Sequence, residues 1–401
     1  MVDDVIRSRA LPNTLSSAAS KVQPSRRSRI RYTLEFDPSM PRLDICNQRL
    51  ANQHLSRQTL EKPSEVVRLL GAVQAQDYGV AKWGVAQRTR NATDAIVEKE
   101  LTDGAILRTH VLRPTWHFVV AADIRWMLAL TGPRVKMILA HHDRTLELDG
   151  AVIRRSRTAM TKALEGGKQL TRAELSKVLK RARIRTEDTQ RLARIVMHAE
   201  LDGIICSGAL RGKQFTYALL DERVPPTKPL ERDAALAELV KRYFNTRGPA
   251  TVDDFAWWSG LTKADAKRGL QGAESGLEHE IVDGRTLWFP TPARVKTKSL
   301  VARLLANYDE YFIGLKDRSA MLSTLRTLGL EGKVGFLGGH LLTINGQVVG
   351  GWRRTFSGKK AIVELKVFTK LSDDERRSVA KEVQRFAAFL GMPVEIAKHS
   401  L

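Results

Sequence analysis

The sequence predicts an α+β chain: three successive units in which helices lead into a β-hairpin, then a mixed α/β end. Helical periodicity followed by a strand pair recurs over 42–150, 151–228 and 229–300. Beyond about residue 301, and up to 401, alternating strands give way to one long capped helix. The third observation is charge: 66 Lys+Arg against 44 Asp+Glu leave +22 and a pI near 10.2. Such a surplus points to a polyanionic partner, most simply nucleic acid. Solubility or an anionic lipid surface would give the same balance. Helices followed by a strand pair is the winged-helix order, here repeated in element order rather than in residue identity. At 401 residues the chain is long enough for two to four small domains.

Residues 1–41 are rich in Ser, Arg and Pro, lack a sustained period and carry Arg26-Arg27-Ser28-Arg29-Ile30-Arg31. They read as a disordered basic arm, although an incorrectly assigned start codon would look the same. In the first unit, helices are expected over 43–55 and 63–73. Pro63 suits a first turn, Ser64 is taken as its cap, and Val66, Leu69, Leu70 and Val73 form one apolar face. A short helix over 94–101 precedes strands over 106–112 and 115–120, with Arg113-Pro114 near their turn. A further helix starts at Asp123, with the acid as its cap.

The second unit opens with the Thr-x-x-Glu capping-box spacing at Thr171 and Glu174. Helices over 175–181 and 187–201 lead to a hairpin of 204–207 with 215–220. Between 151 and 185 eleven Lys/Arg face two Glu, a local +9. A solvated helix face is the plain reading of a charge run, but so much charge of one sign repels itself and a phosphate backbone relieves it. Arg154, Arg155, Arg157, Arg172, Lys180, Arg181 and Arg183 are therefore candidate DNA contacts. The third unit has a helix over 233–245, caps at Thr251 and Thr262, and a hairpin of 277–282 with 285–289 across Asp283-Gly284, a type I′ signal. Trp257 and Trp258 lie inside a capped helix and read as core rather than as base-stacking platforms.

The end of the chain offers a hairpin of 339–345 with 347–354 over Asn345-Gly346, a strand over 361–368 and a helix over 372–390. That helix has a Ser372/Glu375 capping box and Gly391 as its stop. Arg353 and Arg354 leave the hairpin with a basic end suited to phosphate, though exposed arginines beside a strand are common.

One stretch stands apart chemically: Gln74-Ala75-Gln76-Asp77, at the end of the second helix. On a continuing helix the two glutamines would point roughly 200° apart and could not act on one point. If the chain turns extended near Val73, residues i and i+2 share a side and both amides converge. The bland alternative is a helix whose polar end is simply wet. Asp77 adds negative charge or only caps a turn.

This stretch resembles the AlkZ-like family of bacterial winged-helix DNA glycosylases, together with three further blocks. They are Arg108-Thr109-His110-Val111-Leu112-Arg113-Pro114-Thr115-Trp116-His117, the pair Tyr308-Asp309-Glu310-Tyr311 and Lys316-Asp317-Arg318-Ser319, and Asn345-Gly346-Gln347-Val348-Val349-Gly350-Gly351-Trp352-Arg353-Arg354. The four blocks in this order cover most of the chain from about residue 42. The resemblance implies that Gln74 and Gln76, a full match to the family's Gln–apolar–Gln element, are catalytic. A sister branch carries Asp in the second position. It also implies a cleft lined by Asp77, His110, Thr115, Trp116 and His117, against the ordinary reading of a strand histidine as a hydrogen-bonded structural residue. The implied reaction is base excision from double-stranded DNA, held largely through its phosphates, by plain hydrolysis with no cofactor and no metal; a chain this rich in Lys leaves lysine-based lyase chemistry open beside it.

The chemistry is consistent with that implication. An N7- or N3-alkylated purine is already cationic and leaves as a neutral base, so no general acid is required. What remains is to place a water and stabilise positive charge on the sugar, which amide oxygens can do without a shifted pKa. Broad repair of alkylguanines and resistance to one crosslinking agent need the same motif. A non-catalytic DNA-binding protein or transcriptional regulator is the alternative, since basic winged-helix proteins are most often regulators.

Other chemistries lack their signatures. The sequence has no phosphate-binding Gly-rich loop, dinucleotide fingerprint or Gly-x-Ser-x-Gly elbow, and no Cys/His cluster at zinc spacing. Cys46 and Cys206 are expected to be free, buried thiols. No run approaches the eighteen or so apolar residues of a membrane span, and no apolar signal core follows the N-terminal arginines. These features read as a monomeric cytoplasmic protein associated with the nucleoid.

Overall fold

A computed structural model of the chain describes residues 43–273, 275–291, 299–332, 334 and 340–397; the basic arm expected over 1–41 lies outside them. The first group of elements is α1 (Ile45–Asn52), α2 (Pro63–Leu70), β1 (Val73–Gln74), α3 (Tyr78–Ala86), α4 (Asp94–Asp103), β2 (Ile106–His110) and β3 (Trp116–Val120). The long helix α5 (Ala121–Thr145) leads out of it. The second group is α6 (Gly150–Leu164), β4 (Leu170–Thr171), α7 (Arg172–Arg181), α8 (Thr189–Leu201), β5 (Ile205–Ser207) and β6 (Thr216–Leu219), ending in the single turn α9 (Leu220–Arg223). The third is α10 (Arg232–Arg247), α11 (Val252–Ser259), α12 (Lys263–Ala273), β7 (Leu277–Val282) and β8 (Arg285–Pro290). The remainder is mixed: β9 (Ala302–Leu304), α13 (Glu310–Ile313), α14 (Ser323–Thr327), β10 (Leu341–Ile344), β11 (Gln347–Ser357), β12 (Lys360–Val367), α15 (Asp373–Leu390) and β13 (Val394–Ile396).

A topological repeat runs through the first three groups. A short strand between two helices pairs with the second strand of the following hairpin, giving the orders β1-β3-β2 and β4-β6-β5. In the third group this strand shrinks to a single bridge from Ala250 to Trp288 on β8. The hairpin turn at Asp283-Gly284 has positive φ at both residues (50° and 72°), as type I′ requires. Helix ends follow side-chain chemistry read from the sequence. Thr171 with Glu174, Thr251 with Asp254 and Ser372 with Glu375 form capping boxes.

Three local expectations are corrected. Helix α2 is not capped by Ser64: the Glu65 carboxylate accepts from the N–H groups of Glu61 and Lys62, and the Ser64 N–H donates to Glu100. The same helix stops at Leu70 rather than reaching Val73. Asp123 lies in the first turn of α5, not at its cap, and its buried carboxylate binds Trp126 and Arg242 instead.

Strand alternation places the β1-β3-β2 sheet between two cores. From one face Val73, Ala75, Ile106, Phe118 and Val120 join Trp83, Trp352 and Phe386. From the other, Leu107 and Val119 join Leu239, Tyr243 and Trp258. The motif strand is thus wedged between the five-stranded C-terminal sheet, ordered β13-β12-β11-β10-β9, and the third group. Trp258 is core, as expected, while Trp257 is half-buried. Cys46 and Cys206 are free and buried, and burial pushes the Cys206 thiol up to about 12. No described helix is long and apolar enough to cross a membrane.

Candidate active site

What ends α2 ahead of the glutamines is a fully buried ion pair. Gly71 turns the chain with a φ of 77°, a conformation that favours glycine. Leu70 O, left unpaired at the helix end, and Ala72 O, just beyond Gly71, accept from Arg247 at 2.9 and 3.2 Å. Arg247 is held by Glu310, Nη2 to Oε2 at 2.6 Å, with neither side chain exposed. Glu310 also accepts from the Trp258 indole at 2.9 Å and from the backbone N–H of Gln74 at 2.8 Å. Two residues distant in sequence thus take the backbone groups on both sides of Gly71 and force the extended course of β1.

Register then sets out the site. Val73 pairs with Phe118 and Gln74 with His117, and the Ala75 N–H continues the ladder to Trp116 O at 2.7 Å. Gln74 thus stands opposite His117 on β1, and Gln76 follows two residues on, in a bend just past the strand's end. Gln74 is buried and its Oε1 accepts from Arg113 Nη2 at 2.7 Å. Gln76 is exposed, and its Oε1 meets only the Trp116 N–H at a long 3.4 Å.

Here the first group departs from its own repeat. In the second and third groups the short strand runs straight into a helix capped by Thr171 or Thr251. In the first, Ala75, Gln76 and Asp77 intervene before α3, and Asp77 at the cap position makes no capping hydrogen bond. The Gln76–Asp77 stretch is thus the place where the first copy breaks the local rule that the other two keep.

The other candidate lining residues divide. Thr115, Trp116 and His117 lie on or beside β3 next to the glutamines. His117 is fully buried; its Nδ1–H donates to Thr115 O at 2.9 Å. Burial, then the Arg113 charge, hold its pKa well below the usual histidine value, so the ring is neutral. His110 faces away, buried, with Nδ1 2.5 Å from Glu200 of α8. This contact ties the first group to the second, and the His110 ring centre lies 4.6 Å from that of Trp116, whose backbone N–H meets Gln76. Arg108, beside it, donates to Ala75 O at 3.1 Å, and its guanidinium lies 4.2 Å from the Trp116 ring centre and 4.5 Å from that of Phe215.

A family model for AlkZ-like DNA glycosylases matches residues 67–389. The chain belongs to this family. It is 25% identical over 372 residues to an interstrand DNA cross-link repair glycosylase of Streptomyces sahachiroi, covering 87% of this chain and 97% of that protein. The solved structure of Streptomyces sahachiroi DNA glycosylase AlkZ matches with a TM-score of 0.74 at 23% identity, over 88% of this chain and 98% of that one. That likeness establishes a shared mixed α/β fold. As an AlkZ-like DNA glycosylase the chain is a DNA-binding N-glycosylase.

Within this AlkZ-like chain the basic candidates are scattered in role. Arg354, on β11, comes beside α3: its guanidinium is 3.6 Å from where a Cβ on Gly79 would sit, and it interacts electrostatically with Asp77. Arg353 is exposed and loosely paired with Glu364. Arg155 donates to the carbonyls of Ala182 and Arg183, Arg172 donates to Thr189 O, Arg157 pairs with Asp202 and Lys180 with Glu187. Arg154 and Arg181 are exposed and make no side-chain hydrogen bond or ion pair among the described residues. Arg154 and Arg157 line a surface cavity of about 720 Å³ away from the glutamines. Sequence reasoning did not single out Arg113, Arg108, Arg247 or Glu310 as site residues. Arg113, Arg108 and Glu310 fall within the family-like blocks, but their partners come from elements far along the chain.

Proposed function

We propose that this AlkZ-like glycosylase hydrolyses the N-glycosidic bond of cationic alkylated purines in double-stranded DNA, with N7-alkylguanine as the simplest substrate. The observation that carries the reading is the Gln74–Gln76 pair at the end of β1, just past the stop of α2, with amides and no carboxylic acid in the two key places. As the bond breaks, its electron pair goes to the purine nitrogen and cancels the positive charge of the lesion. A water placed by the two amides bonds to the sugar carbon, and its proton leaves to solvent. No protein–sugar bond forms. Partial negative charge on amide oxygen stabilises the oxocarbenium-like sugar. The curated relative is named for interstrand crosslinks, and an alkylguanine crosslink presents the same cationic bond.

The rest of the chain fits a DNA clamp. The recurring helix–strand–helix–helix–hairpin order supports three winged-helix units over 42–150, 151–228 and 229–300, with a mixed domain over 301–401. We read the protein as a monomer that works on chromosomal DNA and binds mainly through phosphates. Duplexes carrying N7-methylguanine should accumulate abasic sites on incubation with the purified protein. Their absence would reject the reading in favour of a non-catalytic DNA-binding role.

Affinity for duplex DNA should fall steeply with salt, with a log–log slope of about −0.9 for each phosphate contacted. Replacing Arg154 and Arg181 by Ser should flatten that slope by about two units, because neither guanidinium has a protein partner among the described residues. Filter binding across a salt series measures this, and an unchanged slope would assign their charge elsewhere.

A further inference from the structure

We propose that Arg113 is a positioning residue for Gln74, one that fixes which end of the amide faces the reaction and so gives the two glutamines opposite roles. The inference rests on the functional reading above and refines it. An Arg guanidinium has donors and no acceptor, so the atom of Gln74 that it touches at 2.7 Å is the carbonyl oxygen. The amide nitrogen is thereby turned away from Arg113. It donates to no protein group among the described residues. Gln76 is the reverse case: its carbonyl oxygen meets only a 3.4 Å contact and is free to accept. One donor and one acceptor orient a single water fully. The N–H takes one lone pair and the carbonyl one hydrogen, which leaves the second lone pair for the sugar carbon.

Arg113 is built to hold this geometry. Pro114 restricts its backbone to extended conformations, and the Thr115 N–H closes back onto Arg113 O at 2.7 Å. Its guanidinium lies 5.9 Å from the Trp257 ring centre, and the Glu310 carboxylate offsets its charge. Gly260, with a φ of 71°, lets α11 approach so closely that a Cβ there would lie 2.7 Å from Leu112 O and 3.5 Å from Arg113 Cγ. The third group thus presses the arginine onto the glutamine.

The test is a double-mutant cycle in single-turnover release of N7-methylguanine from duplex DNA. Arg113→Met should slow release by about tenfold to a hundredfold and leave the Kd for DNA within about twofold. Arg113→Lys, which can still donate to the oxygen, should recover part of the rate. In a Gln74→Ala background neither change should slow release further. Gln74→Glu keeps the oxygen for Arg113 but loses the N–H, and should be as slow as Gln74→Ala. Additive losses, or an active Gln74→Glu, would overturn the proposal. If Arg113→Met does not fold, the Lys and Glu variants decide the same question. If the parent releases no base at all, the functional reading fails. The positioning claim is then judged by the side-chain NH2 signals of Gln74 in NMR, identified by their loss in Gln74→Ala. They should move in Arg113→Lys, and unchanged signals would overturn it.

Discussion

Gln76→Ala should lower the rate of N7-methylguanine release by roughly tenfold to a thousandfold, a loss of about 1.4 to 4 kcal/mol of transition-state stabilisation. The fold and the Kd for DNA should hardly change, because the side chain is exposed and its one contact is a long 3.4 Å bond. Gln74→Ala should cost as much or somewhat less in rate. The double variant should lose less than the sum, since both amides serve one water. Gln76→Asp is the informative swap: it keeps an oxygen ligand and adds negative charge, so activity on a cationic purine should partly survive. Single-turnover kinetics decide the matter. If both alanine variants release base at the parent rate, these residues are not the catalytic pair, even in an active glycosylase.

How much of this was legible in the sequence depends on how local each determinant is. The capping boxes at Thr171, Thr251 and Ser372 and the turn at Asp283-Gly284 rest on residues a few positions apart, and the structure keeps them all. The pairing of β2 with β3 was legible for the same reason. Whether Gln74 and Gln76 would converge was not, because the helix that precedes them is stopped from outside. Arg247 and Glu310 lie 177 and 236 residues from the backbone groups they take. The histidines show the same limit. His110 and His117 look alike on a strand, but register sends one to Glu200 on α8 and sets the other opposite Gln74. The function of Arg113 was invisible without knowing that Gln74 is buried beside it. The family resemblance pointed to the candidate site; the long-range contacts explain its shape.

Removing one member of the Arg247–Glu310 pair should be the most damaging single change in the protein. Both side chains are fully buried, and Glu310 meets four donors: two from Arg247, the Trp258 indole and the Gln74 N–H. Arg247→Met would leave a carboxylate buried without its counter-charge and free the carbonyls of Leu70 and Ala72. Loss of one partner from such a pair costs about 3–5 kcal/mol. The milder Glu310→Gln keeps an oxygen that can accept from Gln74 N–H but removes the charge facing Arg247, so it should cost less. The same substitution also weakens the balance of charge at Arg113, which Glu310 supports electrostatically. Base release should therefore drop in Glu310→Gln even at temperatures where the variant is folded. Replacing both partners, as Arg247→Met with Glu310→Leu, should destabilise less than the sum of the single losses, because no orphaned charge remains. Thermal unfolding of these three variants and of Glu310→Leu alone checks the first part, and single-turnover release below the transition checks the second. A Glu310→Gln protein that is less stable yet releases base at the parent rate would confine the pair to holding the fold. A full loss of rate with an unchanged melting temperature would mean that the pair shapes β1 without stabilising it.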